Sequence, residues 1–236
     1  MGLFIGAVGI GGVLLIPALS ALGGLSVHAS SATALFTFFF TGVLGTFLFQ
    51  RKGSIDWGMS LPVCGSAIVF SFAGAVVNSM IRASVLNEII AVVIVAAGAY
   101  ILLPAKHDVR QFTHSDSEWQ RPLLLAIGAI AGFGSGLSGA GGPVFSVPIM
   151  LVLGFAPLTA IGVSQVLQIT SSASGTLANL TFGSIDFTTA AWITVFELTG
   201  VMLGARAAHV VNMRQLRKAA AWLCILVGTA MFLRGL

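Results

Sequence analysis

Apolar residues fill this chain in blocks longer than a soluble helix needs, and short polar clusters separate them. No charged residue occurs before Arg51, and none occurs between Arg121 and Asp186. A membrane-crossing helix takes about 20 apolar residues, so each of these stretches must cross or re-enter a bilayer more than once. The pattern divides each half in the same way. A glycine-broken segment (1–25 and 122–156) is followed by three ordinary spans, predicted at 29–49, 57–80 and 86–104, and again at 158–181, 187–208 and 216–235.

The halves read as copies of one another. Gly6, Gly9, Gly11 and Gly12 recur at an offset of 130 residues as Gly136, Gly139, Gly141 and Gly142, and a proline follows each cluster, Pro17 or Pro148. At the same offset Gly45-Thr46 matches Gly175-Thr176, Gly53-Ser54-Ile55-Asp56 matches Gly183-Ser184-Ile185-Asp186, and Gly74-Ala75 matches Gly204-Ala205. Gly98 matches Gly228, while the register slips by one between Pro17 and Pro148. Agreement over a whole half-length indicates duplication. A glycine-broken apolar segment present in both halves of a membrane chain points to a transporter's binding site.

Charge sets the orientation of the copies. Arg51 and Lys52 assign the first 50–56 loop to the cytoplasm, the 81–88 loop to the outside, and the linker with Lys106, Arg110 and Arg121 to the inside. In the second half the loop at 181–186 has no Lys or Arg, and the next loop carries Arg206, Arg214, Arg217 and Lys218. The pattern is reversed, so the copies are expected to face opposite ways. Inversion with three spans per half requires a hairpin that enters and leaves on one side. Segment 122–156 would extend on the order of 50 Å as helix, too long for one crossing of a core about 30 Å thick. It is expected to fold back at Gly139–Pro143. The first copy has roughly half as many residues ahead of its glycines, so either its first arm is short or the chain starts upstream. The expected organisation is a first membrane repeat (1–104), a cytoplasmic linker (105–121) and a second membrane repeat (122–236). The fold class is an all-α polytopic membrane protein, an inverted repeat whose halves each contain a glycine-broken helical hairpin and three transmembrane helices.

Composition agrees with a lipid environment. Hydrophobic residues make up 57% and charged residues 8%, with mean hydropathy +1.02, where soluble domains carry about a quarter charged residues. The net charge of +4 sits almost wholly in short connecting loops, so it reports orientation and gives no support to nucleic-acid binding. No basic segment precedes the first apolar run, and a cleavable signal peptide is not expected. Cys64 and Cys224 lie in apolar segments without metal-ligand spacing and read as small buried residues; no cofactor or metal is implied.

The candidate chemistry is anion binding by neutral donors. At each break, Gly9, Gly11 and Gly12 or Gly139, Gly141, Gly142 and Pro143 let backbones approach and leave N–H groups outside helical bonding, at the positive end of the helix that follows. Small-residue helix packing is the alternative for the same glycines. The span after each hairpin adds hydroxyls and amides: Thr33 and Thr37 in the first copy, Ser164, Gln165 and Gln168 in the second, with Ser172 on the same face. Such donors suit sulfonate-like oxygens, while interhelical hydrogen bonding is the competing role for the threonines. Two neighbouring amides need several partners, which points to a polar cavity. Glu197 is the only carboxylate well inside a predicted span, and its counterpart in the first half is Ala67. It is either the proton carrier of a coupled cycle or a structural residue paired with a hydroxyl. Asp56 and Asp186 read as helix N-caps, and His28 and His209 as interfacial or solvated residues.

Gly136-Leu137-Ser138-Gly139 superficially resembles the serine motif of the rhomboid intramembrane proteases. Such an enzyme needs a histidine base at the depth of the serine. No second-half span contains one, and the first copy has Val8 in place of Ser138, so catalysis is rejected.

With the paired hairpins Gly9-x-Gly11-Gly12…Pro17 and Gly139-x-Gly141-Gly142…Pro148, the polar span after each, and the Gly-Ser-Ile-Asp loops, the chain resembles the TauE/SafE sulfite exporter family over essentially its whole length. Val13 and Pro143 stand where many relatives have a third glycine. The resemblance implies a multi-pass protein of the prokaryotic plasma membrane that moves sulfite, sulfonates or other small organic anions. On that reading the partners are a small anionic substrate and the lipid bilayer, and proton coupling is expected. A passive anion channel on the same scaffold is the alternative; a membrane enzyme or assembly factor has the least support.

Overall fold

In the computed structural model the described residues are 11–102, 117–207 and 213–235, and they form helices without a strand. A 3-10 turn, Gly11–Leu14, leads into α1 (Leu15–Gly23), α2 (Val27–Arg51), α3 (Trp57–Met80) and α4 (Ala83–Leu102). The second half supplies α5 (Ser117–Ser138), α6 (Pro143–Val152), α7 (Pro157–Phe182), α8 (Phe187–Ala207) and α9 (Met213–Gly235). Gly6 and Gly9 lie outside the described residues. The expected break between α5 and α6 is present. The helix α5 starts at Ser117, ahead of the boundary expected at 122.

Local chemistry sets the ends. Asp56 caps α3, its carboxylate accepting the Met59 N–H at 3.1 Å. Asp186 does the same for α8, accepting from the Thr189 N–H and the Thr189 hydroxyl, both at 3.0 Å. Those two bonds hold the Asp186 carboxyl below its ordinary pKa. The matched Gly-Ser-Ile-Asp loops therefore end one span and start the next in both halves.

Helices that correspond across the halves pack on each other. Along α2, Leu35, Gly42 and Gly45 meet Gly175, Ile169 and Gln165 of α7, so positions that rise on one helix fall on the other and the pair is antiparallel. The contacts are reciprocal. Gly45 faces Gln165, and Gly175 faces Leu35, the residue equivalent to Gln165. In the second pair Gly98 of α4 faces Ala221 and Ile225 of α9, while Gly228 faces Ala91 and Val95, the equivalents of those two residues. Mutual exchange of this kind is the property of a two-fold contact.

Close approach depends on the missing side chains. Along α5, Gly128, Gly132 and Gly136 lie against Val63, Ala67 and the Ser71 carbonyl of α3. A Cβ at Gly132 would stand 2.7 Å from Ala67 Cα and 2.8 Å from its carbonyl oxygen. Gly136, grouped by sequence with the turn glycines, serves this helix contact.

Polarity is distributed as a bilayer requires. The interior holds Ser30, Ser71, Ser135, Gln168 and Asn179, while Trp192, Leu61, Leu226 and their like face outward. Adjacent residues make the contrast plain: Phe196 is 69% exposed and Glu197 3%. Among the described residues, α2, α3, residues 83–100 of α4 and residues 121–138 of α5 are long and apolar enough to cross a membrane. The 26-residue α7 is long enough, and its buried serines and glutamines lower its hydropathy.

Replacing Gly132 with Leu should force α3 and α5 apart and destabilise the protein by about 1–3 kcal/mol or more. Gly65, exposed on α3 with open space around it, is the control: Gly65→Leu should stay within about 0.5 kcal/mol of wild type. Thermal melts in one detergent compare the two, and equal melting temperatures would refute glycine-mediated packing.

Candidate functional site

The second break is buried throughout, from Ser138 to Val144. Gly139 (φ 71) and Gly141 (φ 86) occupy the left-handed region that side chains disfavour, and they reverse the chain between α5 and α6. Space is as restrictive as conformation. A Cβ at position 139 would stand 2.7 Å from Ser31 Cα, and one at 141 would press on the Phe38 ring at 3.2 Å.

The backbone donors of the break are only partly used. Gly139 N–H closes the last turn of α5 on Ser135 O at 2.8 Å, and Ala140 N–H donates to Ser138 Oγ at 3.2 Å. Pro143 has no N–H, while Phe145 and Ser146 N–H both donate to Gly142 O. Between these, the N–H groups of Gly141, Gly142 and Val144 carry no hydrogen bond among the described residues. They stand at the N-terminus of α6, where the helix dipole favours negative charge. At ten residues α6 spans only about half of a bilayer core.

The first break lies in the same core. Val13, Leu14 and Ile16, which follow Gly11 and Gly12, share one hydrophobic cluster with Ala140 and Val144, bridged by Ala34 and Phe38 of α2. Gly11 and Gly12 form the start of the 3-10 turn.

The polar residues of α2 and α7 divide by what they bind. Gln168 donates to Thr41 Oγ1 at 2.9 Å and to Phe38 O at 3.2 Å, so its amide joins the two helices. Gln165 lies against Gly45, whose missing side chain makes room for the amide. Ser164 donates to Ile161 O within its own helix at 2.7 Å. Thr33 Oγ1 accepts the Asp186 N–H at 3.1 Å and so anchors the start of α8.

One turn deeper, the Thr37 hydroxyl lies beside the Glu197 carboxyl but gives its proton to Ala34 O at 2.9 Å. Both Glu197 oxygens are left buried without a hydrogen bond among the described residues. An unpaired carboxylate in hydrocarbon costs several kcal/mol, on the order of the penalty for a buried lone charge. Among the described residues neither oxygen meets a Lys, an Arg or any other hydrogen-bond donor.

Sequence reading did not single out Ser31 and Thr41. Ser31 is buried with its hydroxyl unpartnered, directly against the second break. The periodicity that exposed Thr33 and Thr37 could not find it, because it lies on another face of α2. His28 was expected at an interface; it is half-buried and its Nδ1 lies 3.2 Å from Asn78 Oδ1, while the Asn78 amide donates to Leu137 O at 2.5 Å. Ser138 donates to Gly134 O at 2.6 Å, a turn role. His209 lies outside the described residues. A groove of about 530 Å³ runs between α1, α9 and Asn87 at the start of α4. Its walls are mainly apolar and the Asn87 amide points to Met231 O, so it offers little to an anion.

Comparison with known proteins agrees with this architecture. The family model described as "Sulfite exporter TauE/SafE" matches residues 1–231. A Bacillus subtilis protein named "Probable membrane transporter protein YdhB" is 29% identical over 87% of this chain and 85% of its own. "Probable membrane transporter protein YfcA" of Escherichia coli K12 is 26% identical over 83% of this chain and 72% of its own. "Probable membrane transporter protein YunE" of Bacillus subtilis is 23% identical over 100% and 96% respectively. No solved structure matches the chain. A family match across nearly the full length, on an all-helical chain with lipid-facing spans and a buried glycine break, is sufficient: the chain belongs to the TauE/SafE sulfite exporter family of membrane transporters.

Proposed function

We propose that this protein is a secondary transporter of a small sulfur-containing or organic anion, such as sulfite or a sulfonate, in a prokaryotic plasma membrane, coupled to protons. The observation that carries the reading is the buried break at 139–144, where N–H groups at a helix N-terminus carry no bond within the described residues. Irregular backbone at membrane depth is tolerated where protein encloses it or where it lines a cavity, and transporters use such helix ends to hold anionic groups.

The site lies at the interface of two inverted repeats, 1–104 and 122–236, joined by the cytoplasmic linker 105–121. Support comes from the antiparallel, reciprocal packing of α2 on α7 and α4 on α9, together with the reversed Lys and Arg between equivalent loops. Gly9, Gly11, Gly12 and Gly139, Gly141, Gly142, Pro143 face the substrate from the two breaks. Thr37 borders it, while Thr33, Ser164, Gln165 and Gln168 hold α2, α7 and α8 in place around it. Glu197 carries the proton: once neutral, it removes carboxylate repulsion from the neighbourhood of the anion, so proton and anion move together.

Cysteines placed singly by Lys52→Cys and Ser184→Cys should react with an impermeant maleimide from opposite faces of oriented vesicles. Labelling of both from one face would rule out the inversion. In proteoliposomes, wild-type uptake of sulfite or a sulfonate should saturate and follow the pH gradient. Glu197→Gln imitates the protonated carboxyl, so it should retain anion binding and lose the dependence on the gradient. Unchanged pH dependence in that variant would make Glu197 structural, and non-saturating wild-type flux would make the protein a channel.

A further inference from the structure

The two breaks share a core but differ in polarity. Around the second lie the buried hydroxyls of Ser31, Ser135, Ser138, Ser146 and Ser171. The counterparts of Ser135, Ser138 and Ser146 in the other copy are Ile5, Val8 and Leu15, and Ser31 corresponds to Ile161, while Ser171 corresponds to the hydroxyl of Thr41. Most of these hydroxyls already have partners. Ser138 donates to Gly134 O, Ser146 to Gly142 O, and Ser135 pairs with Ser171.

Ser31 does not. It is 2% exposed and its Oγ makes no hydrogen bond among the described residues. A Cβ at position 139 would lie 2.8 Å from Ser31 Cβ, so this side chain leaves α2 directly onto the break. A buried hydroxyl without a partner forfeits about 1–3 kcal/mol, a cost that a bound acceptor removes. The N–H groups of Gly141, Gly142 and Val144 at the same break are donors in the same condition.

Resting on the transporter reading, we propose that the principal donors to the anion lie at the second break, the Ser31 hydroxyl and the Gly141, Gly142 and Val144 N–H groups, and that this site selects singly charged oxyanions over divalent ones. All four donors are neutral, and the dehydration cost of an ion rises with the square of its charge. Neutral donors can therefore compensate a sulfonate, hydrogen sulfite or carboxylate far better than sulfate.

Calorimetric titration of the full chain in detergent with methanesulfonate and with sulfate tests the proposal. Wild type should bind methanesulfonate, with sulfate at least tenfold weaker. Ser31→Ala should weaken methanesulfonate binding on the order of ten- to a hundredfold, the effect of losing one hydrogen bond to a charged group. Ser31→Cys, which keeps the side-chain shape with a poor donor, should fall between. Ser30→Ala removes another buried, unpartnered hydroxyl that helical geometry turns about 100° away, and it should bind within about twofold of wild type. Wild-type affinity in Ser31→Ala, equal losses in the Ser30 and Ser31 variants, or sulfate binding as tight as methanesulfonate would each overturn the proposal. Failure of the transporter reading looks different, because wild-type proteoliposomes would then carry no oxyanion at all.

Discussion

Hydrocarbon offers no hydrogen-bond partners, so a chain that interrupts its helices inside a bilayer must enclose the interruption in protein. That constraint governs the arrangement around residues 139–144. Ser138 takes the Ala140 N–H, Gly142 O takes two more, and the Phe38 ring and the Ser31 backbone close over the glycines. What stays unsatisfied is therefore informative. The N–H groups of Gly141, Gly142 and Val144, the Ser31 hydroxyl and the Glu197 carboxyl are buried polar groups without a hydrogen bond among the described residues, and on the proposed function their cost is met when substrate or proton arrives.

The enclosure depends in turn on how closely the helices approach. Lipid tails are as apolar as leucine, so helices associate through packing and hydrogen bonds, and small residues let their backbones meet. Glycines occupy the α3–α5, α2–α7 and α4–α9 contacts, and the last two pairs exchange contacts reciprocally. Hydrogen bonds between side chain and backbone reinforce the seams, as in Gln168 to Phe38 O and Ser71 to Ser171 O at 2.6 Å. Matched positions of the two halves nevertheless differ in chemistry. Ala67 packs against Gly132, whereas Glu197, its counterpart at the 130-residue offset, carries a buried carboxyl.

Much of this was legible in the sequence, because offset identities such as Gly98 with Gly228 fall where a helix meets the backbone of its neighbour. The capping aspartates were readable for a similar reason, since an N-cap uses a local and recurrent geometry. Residues whose roles depend on distant partners were not. The pairing of Gln168 with Thr41 joins positions 127 apart, and the amide that suggested an open cavity is consumed in a helix contact. Ser31 matters through Gly139, far along the chain, and no periodicity marks it. The span expected at 158–181 is present as α7, although its buried serines and glutamines lower its hydropathy.

The central claim is that an anion meets backbone N–H groups at the second glycine break. Gly141→Leu tests it most directly, because position 141 lies within the break itself, with a positive φ and with the Phe38 ring against any Cβ placed there. The measurement is radiolabelled sulfite uptake into proteoliposomes containing equal amounts of membrane-inserted wild-type and variant protein. The account predicts saturable uptake by wild type and none above empty vesicles for Gly141→Leu. Uptake by the variant with the wild-type rate and affinity would contradict it, and would assign the glycine to packing away from the substrate.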